Sequence, residues 1–382
     1  MKNKIFKHLE KSKHGYLVIS TPCGNEIDIG DKNSKIRADI RINDWALLDL
    51  VVSKGDIGFG EGYIKGLFTT KNIADLLLFI SLNQKELEPL FHSNILYSVF
   101  FGIKNLFKIN SIKGSKKNIE YHYDLGNDFY SLWLDKTMSY SSGIFYKEEC
   151  LLKSQGNKYQ RILEQINQNG SDILEIGCGW GGFINEAHNK GYNVRGLTLS
   201  NEQKLYGEKL IKDKKLNAHI ALQDYRMEQG KFDNIVSIEM FEAVGKKYWD
   251  DYFIKIKECL KVDGRAVVQT ITIGDEFYKK YLKTSDYIRE YIFPGGFLPS
   301  PSIFNKLAKK HGLHVVDEFG FGESYAKTLL KWLDNFNVTQ SKILNLGYNQ
   351  EFIRKWQFYL AYCAAGFNSK RTDVIQYSLA HA

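Results

Sequence analysis

A glycine-rich run between residues 173 and 182 constrains the fold of this chain more than any other feature. It reads Ile-Leu-Glu-Ile-Gly-Cys-Gly-Trp-Gly-Gly, so a short apolar segment leads into Gly177, Gly179 and Gly181 and then into a helical pattern. Glycine lets the backbone approach a ligand closely, because a Cβ at such a position would obstruct the ligand or forbid the required φ. The run therefore predicts a strand, a ligand-binding turn and a helix. A tight turn with only a structural role is the alternative.

Short apolar, β-rich segments separated by helical patterns indicate the sheet that surrounds this turn. They are Asp172–Ile176, Asn193–Leu197, Asn234–Ile238 and Ala266–Ile273. Strands that alternate with helices are typical of a parallel sheet with crossover helices. The chain has 382 residues, and a single core rarely grows beyond ~250–300 residues, so we expect a second domain as well.

The residues after the turn bear on which nucleotide such a sheet would bind. A nicotinamide enzyme is expected to carry an acidic residue ~20 positions after the glycines, whereas the corresponding strand here ends at Thr198. Glu175, two residues before the first glycine, is typical of methyltransferases. A further segment, Gln223-Asp-Tyr-Arg226, stands where such folds bind an adenine through a carboxylate or amide and an aromatic ring. An ordinary loop is the alternative for that segment.

The first 110 residues differ in pattern from the rest. Short alternating segments such as Gly15–Ile19 precede helical patterns, which predicts a small α+β domain over 1–110. Its last helix, predicted over Ile95–Phe107, has an apolar face that either docks on the fold or enters a lipid surface. A stretch rich in Gly, Ser and Lys predicts a linker over 111–120, followed by a second domain over 121–382.

Charge and hydropathy limit the partners of the chain. There are 52 Lys and Arg residues against 44 Asp and Glu, a formal charge of +8 that suits nucleic acid or an acidic lipid surface. Nucleic acid is disfavoured, because the basic residues are dispersed and no Asn/Asp-Pro-Pro-aromatic motif occurs. No apolar run reaches the ~18–20 residues that span a bilayer, and the N-terminal segment lacks the apolar core of a secretion signal. We therefore expect a cytoplasmic protein with only peripheral membrane contact.

The cysteines do not indicate a metal site. They are Cys23, Cys150, Cys178, Cys259 and Cys363, an odd and scattered set with no C-x-x-C pair and no neighbouring histidine cluster. We therefore expect neither a disulfide framework nor bound zinc.

Short segments spread along the chain carry a family resemblance. They are Tyr121–Tyr130, Met138–Phe145, the glycine run with Trp180, Leu197–Gln203, Met240–Gly245, Tyr291–Pro299 and Tyr359–Phe367. In this order they resemble the cyclopropane-fatty-acyl-phospholipid synthase family, together with the related mycolic acid cyclopropane synthases. The segment Gly55–Gly66 resembles the N-terminal domain of the full-length bacterial synthases, which the mycolic branch lacks. That feature favours a phospholipid substrate.

The resemblance implies a fold, a cofactor and a location. The fold is the Rossmann-like α/β sheet of class I methyltransferases with a small N-terminal α+β lipid-binding domain, and the methyl donor is S-adenosylmethionine. The enzyme would bind the anionic inner face of the membrane peripherally, and a homodimer stays open. The implied donor-binding positions are Tyr140, Ser141, Glu175, Gly177, Cys178, Gly179, Trp180, Gly181, Gly182, Thr198, Leu199, Ser200, Gln203, Gln223, Asp224 and Tyr225.

The resemblance also implies a reaction that needs a base. A mid-chain cis alkene accepts the donor's methyl carbon and becomes a carbocation, which closes a cyclopropane ring by losing a proton from that methyl. Family members hold a bicarbonate as the base, through a Cys, a Glu, a His, a backbone amide and a Tyr. The corresponding positions are Ser142, Glu242, Gln269, Ile271 and Tyr325.

Two of these positions differ from the family, since Ser142 replaces Cys and Gln269 replaces His. Ser and Gln still form hydrogen bonds to an oxyanion, but neither titrates near neutral pH as His does. The identity of the base therefore stays open, and so does the product, which is either a cyclopropane or a methyl- or methylene-branched chain. Aromatic side chains would stabilise the cation or pack in the core, namely Tyr140, Phe241, Tyr287 and Phe297.

Several further alternatives stay open. Glu239 is either an extra carboxylate at the site or a solvated side chain. Cys363 matches a family cysteine proposed as catalytic, although buried cysteines are commonly inert. Methylation of a soluble small molecule is a rival function. Lipid binding by a protein with a decayed active site is another, suggested by the departures at Ser142 and Gln269.

Overall fold

The computed structural model describes residues 2–91, 125–148, 150–168 and 172–382. Its contacts group the chain into two compact units that alternate along the sequence. The first consists of the described residues within 1–107, 280–292 and 329–371, and the second of those within 108–279, 293–328 and 372–382. The helix predicted over 95–107 and the linker predicted over 111–120 lie outside the described residues.

The helices, in chain order, are α1 (Lys2–Leu9), α2 (Ala46–Ile64), α3 (Ile73–Leu82), α4 (Gln84–Phe91), α5 (Asn127–Ser131), α6 (Leu151–Gln165), α7 (Gly182–His188), α8 (Asn201–Lys214), α9 (Phe241–Val244), α10 (Trp249–Cys259), α11 (Asp275–Tyr281), α12 (Tyr287–Tyr291), α13 (Pro301–Lys310), α14 (Gly322–Val338), α15 (Gln340–Asn345) and α16 (Gln350–Asn368). The strands are β1 (Tyr16–Ser20), β2 (Glu26–Gly30), β3 (Arg37–Ile42), β4 (Phe68–Thr69), β5 (Asp172–Ile176), β6 (Asn193–Thr198), β7 (Ala218–Leu222), β8 (Phe232–Ile238), β9 (Leu260–Ile273), β10 (Leu313–Gly320) and β11 (Thr372–His381).

The first unit contains a small sheet in the order β2-β1-β3-β4. Strand β1 pairs antiparallel with β2 and parallel with β3, and β3 pairs antiparallel with β4. Helix α3 begins where the Asn72 side chain accepts hydrogen bonds from the backbone of Ala74 and Asp75. The apolar residues around Leu76 and Phe79 on this helix are buried. None of the described helices is long and apolar enough to cross a bilayer.

A glycine in α2 explains why distant parts of the chain join the first unit. Helix α16 packs against α2 and α3. A Cβ on Gly60 would lie 2.5 Å from the Tyr287 ring and 3.1 Å from the Phe358 ring. Only glycine lets these rings, from α12 and α16, approach the backbone of α2 so closely. The sequence predicted contiguous domains over 1–110 and 121–382. The two units of the structure are not contiguous in sequence, because residues 280–292 and 329–371 pack with the N-terminal part.

The second unit contains a seven-stranded sheet in the order β10-β11-β9-β8-β5-β6-β7. Strands β5 to β9 are parallel, whereas β11 runs antiparallel to both β9 and β10. The four predicted strands are confirmed, and β8 and β9 begin earlier than expected, at Phe232 and Leu260. Strand β5 has β6 on one side and β8 on the other. It therefore lies at the topological switch point, outside which ligands bind in such sheets.

Apolar layers cover both faces of this sheet. Along β5, Leu174 and Ile176 point into one layer and Ile173 into the other, as the two-residue period of a strand requires. Phe253 of α10 and Phe304 of α13 belong to the first layer. Burial on both faces is the reason that the parallel strands read as continuous apolar runs. It also leaves the carboxyl ends of the strands as the place for polar chemistry.

Candidate active site

The glycine turn after β5 has the backbone conformation that its sequence predicts. Gly177, Gly179 and Gly181 have φ values of 82°, 53° and 90°, in the left-handed region. The backbone N–H groups of Gly177 and Cys178 both donate to the Leu197 carbonyl, at 3.0 and 2.9 Å, which fixes the turn to β6. Among the described residues, apart from its two chain neighbours, no atom lies within 4 Å of the place where a Cβ on Gly179 would be. The turn therefore faces open space that a ligand can occupy.

Glu175, two residues before the glycine turn, has a buried carboxyl oxygen without a hydrogen-bond partner among the described residues. Its side chain is 2% exposed, and Oε2 has no hydrogen-bond partner among the described residues. Burial raises the pKa of Glu175 well above its usual value, and the positive charge of Lys158 opposes this shift. A buried carboxylate oxygen left unpaired costs about 1–3 kcal/mol or more. A ligand with hydroxyl or amino donors would satisfy this oxygen.

The end of strand β6 is held by local hydrogen bonds. The Thr198 hydroxyl donates to the Gln203 side chain at 2.8 Å. Ser200 caps α8, because its hydroxyl accepts from the Gln203 backbone N–H at 3.3 Å. Leu199 between them is half-buried. These residues shape the edge of the site beside the glycine turn.

The segment after β7, residues 223–226, forms hydrogen bonds that the sequence did not predict. The Asp224 carboxylate accepts from the backbone N–H of Arg226 at 3.0 Å and from its guanidinium at 2.8 and 2.6 Å. The Gln223 amide donates to Glu228 at 3.2 Å. Tyr225 is buried in the core, and its hydroxyl has no partner among the described residues. A ligand at this position would use the lone pairs that Asp224 retains.

The 138–142 segment is anchored to α6 by a buried lysine that the sequence analysis did not identify. Lys158 is fully buried, and its ammonium donates to the Ser141 hydroxyl at 2.7 Å. Gln155, one helical turn earlier, donates to the Ser141 carbonyl at 2.8 Å. Burial lowers the pKa of Lys158 to about 8. The signal in the sequence is its spacing, since Lys158 falls on the same helix face as the buried Leu151 and Ile162.

Aromatic rings lie near Trp180, which belongs to the glycine turn. The Trp180 indole N–H donates to the Asn127 side chain at 2.6 Å. Its ring lies 5.1 Å from that of Tyr130, which lies 5.5 Å from that of Tyr140. Trp180 and Tyr140 are therefore positioned by α5 as well as by their own segments.

Glu239, at the end of β8, is the centre of the polar site. Its Oε1 accepts from the backbone N–H of Ser142 and from the side-chain amide of Gln269, both at 2.8 Å. Its Oε2 accepts from the Tyr325 hydroxyl at 2.5 Å. The structure thus brings Ser142, Gln269 and Tyr325 together around a carboxylate that the sequence analysis left open.

The backbone of Glu239 is strained. Its φ is 51°, in the left-handed region that non-glycine residues rarely adopt. Such a conformation costs about 1–2 kcal/mol. Each hydrogen bond to a charged group contributes about 1.5–3 kcal/mol, so the three donors are sufficient to hold it. Strain of this kind clusters at functional sites.

Glu242 lies on α9, three residues after Glu239. Its Oε1 accepts a short hydrogen bond from the Ile271 backbone N–H, and Oε2 has no partner among the described residues. Burial and then the negative charge of Glu239 raise the pKa of Glu242 to about 8. Glu242 is therefore mostly protonated at neutral pH, whereas Glu239 keeps three donors. Two nearby carboxyl groups in different environments are the usual arrangement for separate acid and base roles.

A line of hydrogen bonds orients Gln269. Arg161 donates to the Gln376 side chain at 2.9 Å, and Gln376 donates to the Gln269 Oε1 at 3.0 Å. This leaves the Gln269 amide N–H pointing at Glu239. Gln376 comes from β11, the antiparallel strand inserted beside β9.

Comparison with known proteins identifies the family. Residues 110–377 match the family model described as "Mycolic acid cyclopropane synthetase", which is more than half of the chain. The chain belongs to this family. It is a methyltransferase that depends on S-adenosylmethionine, of the cyclopropane synthase type. The unpaired oxygen of Glu175 and the open space at Gly179 fit a bound donor of this kind.

The chain is similar to two curated relatives over most of its length. It is 34% identical to "Tuberculostearic acid methyltransferase UfaA1" of Mycobacterium tuberculosis, with 87% of this chain and 81% of the relative covered. It is 33% identical to "Cyclopropane-fatty-acyl-phospholipid synthase" of Escherichia coli, with 90% and 88% covered.

Solved structures of the family match the same fold. The cyclopropane synthase MmaA2 from Mycobacterium tuberculosis gives a TM-score of 0.65 at 29% identity, with 69% of this chain and 98% of that chain covered. The mycolic acid cyclopropane synthase CmaA1, solved with SAH and CTAB, gives 0.65 at 30% identity, with 69% and 97% covered. The predicted class I methyltransferase fold is confirmed.

The residues expected to hold a bicarbonate in this family do not fit that ion here. Ser142, Gln269 and Tyr325 all donate to Glu239 instead. The Ser142 hydroxyl, which replaces the family's cysteine, donates to the Gly143 carbonyl at 2.9 Å. A protein carboxylate therefore takes the donors that a bicarbonate would need.

Cys363 lies on α16 in the first unit, and burial raises the pKa of its thiol well above the usual range, so it stays neutral. Phe241 is fully buried in the core against Trp249, at 5.4 Å between ring centroids. Tyr287 packs in the first unit against Phe358 at 4.5 Å. Phe241 and Tyr287 therefore both pack against other aromatic rings, and their role in stabilising a cation stays a prediction.

Proposed function

We propose that this enzyme transfers the methyl carbon of S-adenosylmethionine to the cis double bond of an acyl chain in a phospholipid, with a cyclopropane as the product. The Escherichia coli relative named for this reaction aligns with 90% of the chain. That alignment extends beyond the 69% of the chain that matches the mycolic acid enzymes in solved structures. A first unit in addition to the catalytic sheet supports a substrate like that of the longer relative.

The main support for the proposal is that the carboxyl pair, Glu239 and Glu242, lies beside the glycine turn. Met240 stands between Glu239 and Glu242 in the sequence, and its Cγ would lie 2.9 Å from a Cβ on Gly177. The pair is therefore adjacent to the place where the donor binds. A negative carboxylate near the reacting carbon stabilises a carbocation that forms there. Both glutamates keep partial exposure, so a substrate can reach them.

The residues of the site have different roles in the proposed reaction. When bound, S-adenosylmethionine supplies an activated methyl carbon on a positively charged sulfur. The glycine turn and Glu175 would bind the donor, and Trp180 would restrict it on the aromatic side. Glu242, mostly neutral, keeps the site from carrying two negative charges. Glu239 provides the single negative charge next to the carbon skeleton.

A branched product is the second candidate. The relative named "Tuberculostearic acid methyltransferase UfaA1" is 34% identical and aligns with 87% of this chain. A carbocation that loses a proton from the acyl chain, instead of from the added methyl, yields a methyl-branched alkene. The same site would support both outcomes, because they differ only in which proton leaves.

Labelled methionine separates these outcomes. Cells that express the protein would be given methionine with a trideuterated methyl group, and the phospholipid acyl chains would be analysed by mass spectrometry. We expect two deuterons per added carbon and no double bond in the modified chain, because ring closure removes one deuteron and consumes the alkene. Three deuterons would indicate a methyl branch and contradict cyclopropane formation. A methylene branch would also keep two deuterons but would contain a double bond, and it would contradict cyclopropane formation as well. Expression of Glu175→Gln, which weakens the donor site, provides a control in which labelled chains should decrease.

A further inference from the structure

We infer that Glu239 is the general base of this enzyme and that its carboxylate stands where relatives would hold bicarbonate, so that turnover needs no added bicarbonate. The inference rests on the proposed function for the identity of the proton that is removed.

Glu239 can accept a proton although three donors bind its carboxylate. A carboxylate offers about four lone-pair positions. Oε1 accepts from Ser142 and Gln269, and Oε2 accepts from Tyr325. Within the part of the chain that the structure describes, Oε2 therefore keeps one lone pair for a proton. The three donors fix the carboxylate so that this lone pair has a constant direction.

The backbone gives a second, independent reason. Glu239 adopts a φ of 51°, which glycine would adopt without strain. Its backbone N–H donates to the Gln269 carbonyl at 2.8 Å, so β9 holds both the main chain and the side chain of Glu239. A side chain retained at such a position indicates that the carboxylate itself is needed.

The charged groups around Glu239 favour the ionised form of this carboxyl over that of its neighbour. Lys158 is buried behind the Ser141–Ser142 segment, and its positive charge acts on Glu239. Glu242 faces the same region, and with a pKa near 8 it carries the proton at neutral pH. Burial raises the pKa of Glu239 above its usual value, whereas the three donors and Lys158 lower it. The pKa of Glu239 therefore lies above that of an exposed glutamate, which makes its carboxylate the stronger base.

The proposed reaction conserves atoms and electrons. The π electrons of the alkene form the bond to the methyl carbon, the carbon–sulfur bond breaks with its electrons going to sulfur, and a cation is left on the acyl chain. Glu239 accepts a proton from the added methyl, and the electrons of that C–H bond form the third bond of the ring. The protonated Glu239 then loses the proton to water before the next turnover.

The test measures turnover in buffer depleted of carbon dioxide, with and without added bicarbonate. Substrates are S-adenosylmethionine and vesicles of unsaturated phospholipid. We expect the wild type to be indifferent to bicarbonate. Glu239→Gln should lose about 100-fold or more in kcat while it binds S-adenosylhomocysteine as the wild type does. Glu164→Gln removes an exposed carboxylate on α6 and should behave as the wild type.

Glu239→Gly adds a rescue experiment. Glycine relieves the backbone strain and removes the carboxylate that accepts the hydrogen bonds from Ser142, Gln269 and Tyr325, so bicarbonate should restore part of the lost turnover. A wild type that is stimulated by bicarbonate, or a Glu239→Gln variant with turnover within about threefold of the wild type, would overturn the inference.

A binding measurement separates this inference from the proposed function. Carbon-13-labelled bicarbonate, followed by NMR, should bind Glu239→Gly in complex with S-adenosylhomocysteine but not the wild-type complex. If the wild type modified no phospholipid while this difference held, the proposed substrate would be wrong and the assignment of the pocket would stand. Binding of bicarbonate to the wild type would overturn the assignment.

Discussion

Single residues of the same type receive opposite charge states in this site. Glu239 accepts hydrogen bonds from three donors on its two oxygens, whereas Glu242 accepts from Ile271 on Oε1 and has an Oε2 without a partner among the described residues. The pair cannot ionise fully, because two buried like charges repel each other. The neighbours, and not the residue type, decide which glutamate keeps its proton.

Glu242→Gln should make stability less dependent on pH. In the unfolded chain Glu242 loses its proton near the ordinary pKa, whereas in the folded protein it holds the proton up to a pKa of about 8. The folded state therefore binds the extra proton in this window, and the free energy of unfolding of the wild type falls as pH rises through it. Between about pH 5 and pH 8 the wild type should lose about 2–4 kcal/mol more than the variant.

Urea unfolding at several pH values measures this difference. Glutamine has no proton to lose, so the variant lacks the contribution of residue 242. The exposed Glu164→Gln variant is the control and should follow the wild type. Parallel pH profiles for the wild type and Glu242→Gln would show that Glu242 is already ionised in the folded protein.

Helices in this protein use glycine for two different purposes. In α2, Gly60 lets the rings of Tyr287 and Phe358 approach the helix backbone. In α6, no atom of the described residues, the helix's own backbone and the two chain neighbours apart, lies within 4 Å of a Cβ on Gly156. The first glycine is required by packing between helices, whereas the second only lowers the helix propensity.

Alanine substitution at these glycines should have opposite effects. Gly60→Ala introduces a methyl group 2.5 Å from the Tyr287 ring and should reduce the free energy of unfolding by about 1–3 kcal/mol. Gly156→Ala should increase it by about 0.5–1 kcal/mol. Urea unfolding of the two variants under one condition checks the difference. Equal stabilities would mean that the rings do not confine α2.

The molecule as a whole carries a formal charge of +8, and its proposed substrate lies in a membrane. We therefore propose that it binds the anionic inner face of the membrane peripherally. In flotation experiments the protein should bind vesicles that contain acidic phospholipid, and binding should weaken as salt rises, because surface charges are screened within about 10 Å at 0.1 M. Vesicles of zwitterionic lipid are the control. Absence of binding to anionic vesicles would favour a soluble small molecule as the methyl acceptor.

Local patterns in the sequence were sufficient for the central sheet. Strands β5, β6, β8 and β9 and the glycine turn were predicted because a strand and its turn are specified by neighbouring residues. The antiparallel strand β11 was not predicted, because its partner β9 lies about 100 residues earlier in the chain. The interleaved units were missed for the same reason, since α16 packs on helices near the N-terminus.

In the candidate active site, too, some features follow from the sequence and others only from the tertiary structure. The sequence by itself determined the strand, the turn and the list of polar residues, because spacing along the chain fixes which backbone conformations are available. Only the tertiary structure decided that Ser142, Gln269 and Tyr325 donate to Glu239 and that Lys158 lies buried beside them. Hydrogen bonds and charge–charge interactions depend on distance in space, and residues 142, 158, 239, 269 and 325 become neighbours only when the sheet has formed.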